Sequence, residues 1–258
     1  MQLRDLLEAV ARGMMSPEEA ERRIRLWAIE EIEGRLKLDI GRGLRRGVPE
    51  VILGEGKERQ EILGAVIKLL EASQPALVSR LEAQRGEELL GLIRELGYDA
   101  DYSAQAGLLR ARPKRSAPSA PHGRVGILTA GTADRGVALE AKLTAEEMGC
   151  QVELVEDVGI AGLQRTLQGV KRLLEQDVDI IIAVAGMEGA LPSVVASLSP
   201  VPVVALPSSR GYGYGGGGRA ALLSALQACP LGLACVNIDA GVGAGIFAAL
   251  VAQRARRR

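Results

Sequence analysis

The second half of the chain repeats one pattern five times, a short apolar run rich in valine and isoleucine followed by a segment long enough for a helix. Runs that are apolar along their whole length are typical of strands buried on both faces, and their alternation with helices predicts a parallel sheet. Right-handed crossovers place the carboxyl ends of all such strands at one edge, where ligands bind. The pattern therefore predicts a doubly wound α/β domain with strands at residues 124–128, 151–155, 179–184, 201–206 and 233–238.

A segment rich in proline, serine and basic residues, 112–123, separates this domain from the first half of the chain. It has no apolar period, which is typical of a linker. It also holds the only histidine, His122, which we expect to be a solvated side chain rather than a base or a ligand. We therefore predict a first domain over residues 1–111, the linker, and a catalytic α/β domain over residues 124–258.

Helical patterns and short apolar runs are mixed in the first domain, which predicts a small α+β fold. Ser16 followed by Pro17 predicts the start of a helix, with the serine as N-cap and the proline in the first turn. The other predicted elements are strands at 37–40, 48–53, 76–81 and 108–111, and helices near 56–72 and 86–96.

Composition excludes several classes of function. The 32 lysines and arginines balance 32 aspartates and glutamates, and aromatic residues make up only 2%, so neither charge nor base stacking favours nucleic-acid binding. Residues 1–33 mix charges with apolar residues and therefore resemble neither a signal peptide nor a membrane span. Three cysteines without C-x-x-C spacing favour a reducing compartment. We expect a cytoplasmic protein without a nucleic-acid or membrane partner.

Polar residues and glycines follow the first and third predicted strands. After the first strand, Gly131 allows close backbone approach, and Thr132 or Asp134 can cap the following helix. The backbone amides of this turn can hold a phosphate, and capping without any ligand is the alternative. After the third strand, Gly186 and Met187 precede Glu188, a carboxylate at the predicted mouth of the sheet. Glu188 suits a general base, although a glutamate in the first turn of a helix is also favourable without any catalytic role.

Two further loops complete the predicted ligand edge. The fourth strand runs into a loop over residues 207–219 that is unusually rich in glycine, which either folds over a ligand or serves as a mobile connection. Its candidate contacts are Ser208, Gly211, Tyr212 and Gly213. After the last strand, Asn237 and Asp239 can form hydrogen bonds across the crevice.

Cys229 lies where a helix leads into the last strand, and we expect its thiol to face the crevice. Because the single histidine lies in the linker, the α/β domain contains no Ser-His or Cys-His pair. Catalysis would therefore depend on a thiol, a carboxylate and the backbone. The other cysteines, Cys150 and Cys235, are expected to be small buried hydrophobic residues.

These segments, in this order, resemble the LarB family, the carboxylase/hydrolase of nickel-pincer nucleotide cofactor biosynthesis. The C-terminal domain of that family is similar to aminoimidazole ribonucleotide (AIR) carboxylase, PurE. The resemblance covers nearly the whole chain and implies a PurE-like, flavodoxin-like three-layer domain assembled as a homo-octamer. The matching segments are 47–52, 55–57, 129–134, 157–163, 185–192, 211–213 and 229–239.

The resemblance implies that the substrates are nicotinic acid adenine dinucleotide and carbon dioxide or bicarbonate, with Mg²⁺ assisting phosphoanhydride cleavage. The product would be pyridinium-3,5-biscarboxylic acid mononucleotide, released with AMP. Cys229 would add to ring carbon 4 and make carbon 5 nucleophilic, and Glu188 would exchange protons. The alternatives are an AIR carboxylase or mutase of purine biosynthesis and a non-catalytic nucleotide-binding protein.

Overall fold

A computed structural model describes residues 3–21, 30–32, 36–39, 41–113 and 122–256. Contacts divide the chain into two compact units, each assembled from more than one segment. The middle of the predicted linker, residues 114–121, lies outside the described residues. The first unit comprises residues 1–78, 87–101 and 109–116, and the second comprises residues 79–86, 102–108 and 117–258.

The first unit begins with helix α1 (Leu3–Ala11) and a helical segment that starts at Pro17. The hydroxyl oxygen of Ser16 accepts a hydrogen bond from the backbone N–H of Glu19 at 3.1 Å, which confirms the predicted N-cap. Two short strands, β1 (Glu30–Ile32) and β2 (Leu36–Leu38), then pair in antiparallel fashion.

A four-stranded sheet in the order β3-β4-β6-β5 forms the body of the first unit. One of its strands was absent from the sequence prediction: β5 is mostly polar, and its aspartates Asp99 and Asp101 form ion pairs with Arg110 and Arg112 of β6. An edge strand held by cross-strand charges has no apolar run to reveal it. The elements are β3 (Glu50–Leu53), β4 (Ala76–Ser79), β5 (Asp99–Ser103), β6 (Leu108–Arg112), α2 (Arg42–Arg46), α3 (Arg59–Glu71) and α4 (Ala83–Glu95).

A five-stranded parallel sheet in the order β11-β10-β9-β7-β8 forms the second unit, and it confirms the predicted doubly wound, flavodoxin-like fold. Every residue of the inner strands β9 and β10 is buried, as their apolar sequences predicted. The strands are β7 (Arg124–Thr129), β8 (Gln151–Val155), β9 (Ile180–Ala185), β10 (Val203–Pro207) and β11 (Leu233–Cys235).

Helices cover both faces of this sheet. They are α5 (Arg135–Glu147), α6 (Leu163–Glu175), α7 (Leu191–Leu198), α8 (Arg219–Leu226) and α9 (Gly241–Arg256). Small residues let α9 approach α5 closely, since a Cβ atom on Gly245 would lie 2.5 Å from the carbonyl oxygen of Ala141. The opposite face of α9 keeps Phe247 43% exposed.

Among the described residues, no helix combines the length and the hydropathy that crossing a bilayer requires.

Candidate active site

The sheet opens a crevice between the carboxyl ends of β7 and β9, because the chain winds outward in opposite directions from these two neighbouring strands. A cavity of about 300 Å³, here called the Glu188 cavity, occupies this position. The loops that follow β7, β8, β9 and β10 all contribute to it. Its lining residues are Ala130, Gly131, Ala133, Asp134, Gly159, Ile160, Ala161, Ala185, Gly186, Met187, Glu188, Gly189, Ala190, Leu191, Arg210, Gly211 and Tyr212.

Two glycines bring the backbones of neighbouring loops into contact on one wall of the cavity. A Cβ atom on Gly186 would lie 2.9 Å from the backbone nitrogen of Gly211 and 3.3 Å from a carboxyl oxygen of Asp134. Neither loop can carry a side chain at this point without moving the other. The wall therefore presents flat peptide groups, a suitable surface for a planar ring.

Asp134 supplies a buried carboxyl group at the floor of the cavity. Its Oδ2 accepts the backbone N–H of Gly131 at 3.0 Å, and its side chain is hydrogen-bonded to that of buried Ser208. Burial raises the pKa of Asp134, nearby Asp239 adds to this effect, and the two hydrogen bonds and Arg210 oppose it. Sequence analysis identified this residue as a cap or a substrate contact, whereas its burial depends on the packed loops.

The predicted base and two predicted contacts lie at the mouth of the same cavity. Glu188, Met187 and Tyr212 are all exposed, with Tyr212 79% accessible. Glu188 therefore lies where a ligand would enter the cavity, and within a single chain it is exposed to solvent.

Other predicted contacts lie apart from this lining. Thr132 and Gly213 flank the cavity without lining it, and Ser208 lies beneath it. Asn237 is exposed, and its side-chain oxygen accepts the backbone N–H of Ile238 at 2.9 Å. Asp239 accepts the backbone N–H of Ser209 at 2.9 Å and lines a neighbouring cavity instead.

The structure corrects the expected position of Cys229. This residue is exposed in the loop that precedes β11, and β11 is parallel to β10, with Leu233 opposite Val203. A residue before a parallel strand lies at the amino edge of the sheet, whereas Glu188 follows β9 at the carboxyl edge. Within one chain the thiol therefore does not face the Glu188 cavity.

The remaining cysteines fit a structural role. Cys150 is buried, and burial raises the pKa of its thiol to about 11, which keeps it protonated. Cys235 is half-buried at the end of β11, and burial raises its pKa as well.

A second cavity of about 200 Å³, here called the arginine cavity, lies beside the first and shares Arg210 with it. Sequence analysis did not identify most of its polar residues. Glu140 is the clearest case: it lies on the buried face of α5, and burial raises its pKa to about 7. Glu140 could have been found from the sequence, because it is a charged residue within the apolar stripe of a helix. The lining residues are Arg80, Gln105, Ala106, Gly136, Val137, Glu140, Arg210 and Asp239.

The described residues contain no group of three or more histidine, cysteine, aspartate or glutamate side chains arranged to hold a metal ion. Mg²⁺, which the resemblance implied, commonly binds through one or two carboxylates together with substrate phosphates and does not need such a group.

Two family descriptions match the chain in sequence order. Residues 29–112 match the LarB/PurE-like N-terminal domain, and residues 124–257 match the AIR carboxylase family. Together they reproduce the arrangement that the sequence motifs predicted.

Individual relatives fall into two groups. An uncharacterized protein of Methanocaldococcus jannaschii is 47% identical over 254 residues, which cover 97% of each chain. The N5-carboxyaminoimidazole ribonucleotide mutase of the same organism is 35% identical over 124 residues, 47% of this chain and 74% of the mutase. The corresponding mutase of Pyrococcus horikoshii is 32% identical over 127 residues, 48% of this chain and 69% of that protein.

Proposed function

The chain belongs to the AIR carboxylase family and carries a LarB-like N-terminal domain, and on this basis we propose that it carboxylates the pyridinium ring of nicotinic acid adenine dinucleotide. The observation that carries the proposal is the pairing of the two domains in one chain. The mutases match about half of this chain, so the N-terminal domain is where its substrate requirements can differ from theirs.

The reaction needs a nucleophile because a pyridinium ring is electron-poor and does not attack carbon dioxide. The thiolate of Cys229 adds to ring carbon 4, and the electron pair of the ring double bond moves to the ring nitrogen. Carbon 5 of the resulting dihydropyridine attacks carbon dioxide and forms the new C–C bond. Glu188 then takes the proton from carbon 5, the C–S bond breaks, and the aromatic ring is restored.

Hydrolysis of the phosphoanhydride completes the proposed conversion. Water attacks one phosphorus atom, the bridging P–O bond breaks, and AMP leaves the carboxylated mononucleotide. No step of this proposal passes through a protein-bound metal ion. Mg²⁺ enters the proposal only as a cation that accompanies the substrate phosphates.

The Glu188 cavity suits the ring half of this substrate. Its wall of peptide groups at Gly186 and Gly211 admits a planar ring, and the amide-rich turn at Gly131 can approach a phosphate. Buried Asp134 holds that turn through its hydrogen bond to the N–H of Gly131.

In the proposed mechanism a second copy of the chain completes the site. Cys229 and Glu188 lie at opposite edges of one sheet, so the loop over residues 227–232 of one copy must reach the Glu188 cavity of another. Leu223 and Leu226, just before this loop, are each 66% exposed, and Leu231 within it is 94% exposed. Such a surface suits burial against another copy. We propose a homo-oligomer, with the octamer implied by the family as the assembly.

The deciding experiment is a product assay. Purified protein is incubated with nicotinic acid adenine dinucleotide, bicarbonate and Mg²⁺. The products are then separated and identified by mass spectrometry. We expect the dicarboxylated mononucleotide and AMP from the native protein, and neither from Cys229→Ala. Absence of the dicarboxylated product would reject the proposal.

A parallel assay addresses the second candidate, which the identity to the mutases supports. The protein is incubated with N5-carboxyaminoimidazole ribonucleotide and with AIR plus bicarbonate. We expect no turnover, because the histidine-bearing motifs of AIR carboxylase are missing from this sequence. The only histidine, His122, precedes β7 and lies outside the Glu188 cavity lining. Turnover of either ribonucleotide would establish the purine activity instead.

A further inference from the structure

We propose that the arginine cavity is the subsite for the phosphate of the adenylate half of the substrate, the half that leaves as AMP. This inference rests on the proposed function, since it gives a place to the second half of the dinucleotide. Every residue that lines the cavity belongs to the second compact unit.

The two cavities adjoin each other through one shared residue. Arg210 lines both the arginine cavity and the Glu188 cavity. A cavity of about 300 Å³ is at the lower end of small-molecule sites and suits one nucleotide half, and the neighbouring 200 Å³ extends it. A dinucleotide whose ring lies beside Glu188 can therefore pass its phosphates along Arg210 into the arginine cavity.

The arginine cavity is lined by several hydrogen-bond donors. Each guanidinium of Arg80 and Arg210 has five N–H groups, so an ion pair with a carboxylate still leaves donors for phosphate oxygens. The side-chain oxygen of Gln105 accepts a hydrogen bond from Arg135 at 3.1 Å, which leaves its amide nitrogen as a further donor. The cavity also borders Gly136 in the first turn of α5, where the helix dipole favours an anion.

The two carboxylates of the cavity do not exclude an anion, because backbone donors engage them both. Asp239 accepts the N–H of Ser209 at 2.9 Å. Glu140 accepts hydrogen bonds from the backbone of Gly241 and Val242, and its burial favours the neutral acid. Glu140 thus serves to anchor α9. Arg80, whose charge opposes the rise in the pKa of Glu140, and Arg210 bring two guanidinium groups to the cavity.

The backbone of Arg80 has an unusual conformation. Its φ of 54° lies in the left-handed region that residues other than glycine rarely adopt, and Asp239 has a φ of 53°. Asparagine and aspartate tolerate this conformation, but arginine gains nothing from it locally. Strain of this kind persists where the surrounding structure imposes it, and it is concentrated at ligand sites. Two such residues line this one cavity.

The test measures binding to the full-length protein by isothermal titration calorimetry, with AMP, adenosine and nicotinic acid mononucleotide as probes. We expect AMP to bind and adenosine to bind at least about 10-fold more weakly, since it lacks the charged phosphate. In Arg80→Gly the affinity for AMP should fall about 10-fold to 100-fold, the range for losing one charge-assisted hydrogen bond. The affinity for nicotinic acid mononucleotide should change less than about 2-fold, because that half occupies the other cavity.

Ser73→Gly is the matched control, since Ser73 also has a positive φ, 58°, but lies outside the cavity. It should leave AMP affinity unchanged, and circular dichroism establishes that both variants are folded. If Arg80→Gly does not fold, Gln105→Ala takes its place and should weaken AMP binding in the same direction.

The outcomes separate this inference from the proposed function. Equal AMP affinity in the native protein and Arg80→Gly, equal affinity for AMP and adenosine, or no AMP binding at all would each overturn the subsite. Arg80-dependent AMP binding in a protein that makes no carboxylated product would support the subsite while rejecting the carboxylase.

Discussion

A Cβ atom on Gly211 would lie 2.8 Å from the carbonyl carbon of Gly186, so the loops after β9 and β10 are in direct backbone contact. We predict that Gly211→Ala forces these loops apart and lowers the free energy of unfolding by about 1–3 kcal/mol, the usual cost of overpacking. Ligand binding in the Glu188 cavity should weaken as well. Chemical denaturation and calorimetry measure the two effects.

Gly91→Ala is the control for that substitution. Gly91 lies within α4, and a Cβ atom there would meet no atom within 4 Å. Alanine is the better helix former, so this variant should be as stable as the native protein or up to about 1 kcal/mol more stable. A Gly211→Ala variant that behaves in the same way would disprove the close-contact argument.

Glu140 makes stability depend on pH in a direction opposite to that of a salt-bridged carboxylate. Because burial raises its pKa from 4.5 to about 7, the folded protein binds this proton more tightly than the unfolded chain does. The contribution of Glu140 to the free energy of unfolding is greatest below pH 4.5. It falls by about 3 kcal/mol as the pH rises from 4.5 to 7. In Glu140→Gln this loss should be absent.

Urea denaturation at pH 5 and pH 8 tests the prediction, with the native protein compared with Glu140→Gln at each pH. Glu175→Gln, an exposed glutamate of α6, controls for a general change of charge. Identical pH dependence in the native protein and Glu140→Gln would show that Glu140 is not the titrating group.

Mixed oligomers test whether Cys229 and Glu188 act from different copies. Alone, Glu188→Gln should lose about 10²-fold to 10⁴-fold of the carboxylase activity, as expected for a general base, and Cys229→Ser should be inactive. When the two variants are coexpressed in equal amounts and assemble at random, about one quarter of the sites pair an intact cavity with an intact thiol.

Activity near one quarter of the native value is therefore expected from the mixture. If both residues acted within one copy, every site would carry one defect and the mixture would stay as inactive as its components. That result would contradict the shared site, but it would leave the proposed carboxylation reaction unaffected.

Leu231 tests the surface that surrounds the thiol. Its side chain is 94% exposed, so Leu231→Glu should not affect folding of the single chain. If this surface packs against another copy, a buried unpaired carboxylate opposes assembly. We expect a smaller species by light scattering and loss of carboxylase activity, whereas Leu96→Glu, a substitution at a 47% exposed leucine, should assemble normally. Unchanged mass and activity in Leu231→Glu would exclude this surface as the contact.

The parallel sheet could be predicted because each of its strands has a local cause, a run of valine and isoleucine apolar enough to be buried on both faces. Strand β5 has no such run, since it lies at a sheet edge and is held by ion pairs to β6. It could be recognised only once β6 was known to lie beside it. The loops at Gly131, Gly186 and Gly211 were placed together correctly since each follows a parallel strand, and all carboxyl ends meet at one edge.

The same rule places Cys229 at the other edge, because it precedes its strand. The sequence by itself determined the α/β architecture and the loops that meet at its ligand edge, because hydrophobic periodicity and crossover handedness act over neighbouring elements. Only the tertiary structure decided that Asp134 and Glu140 are buried and that Arg80 and Arg210 share a cavity. Burial and electrostatic contact depend on residues far apart in the chain, and no local pattern encodes them.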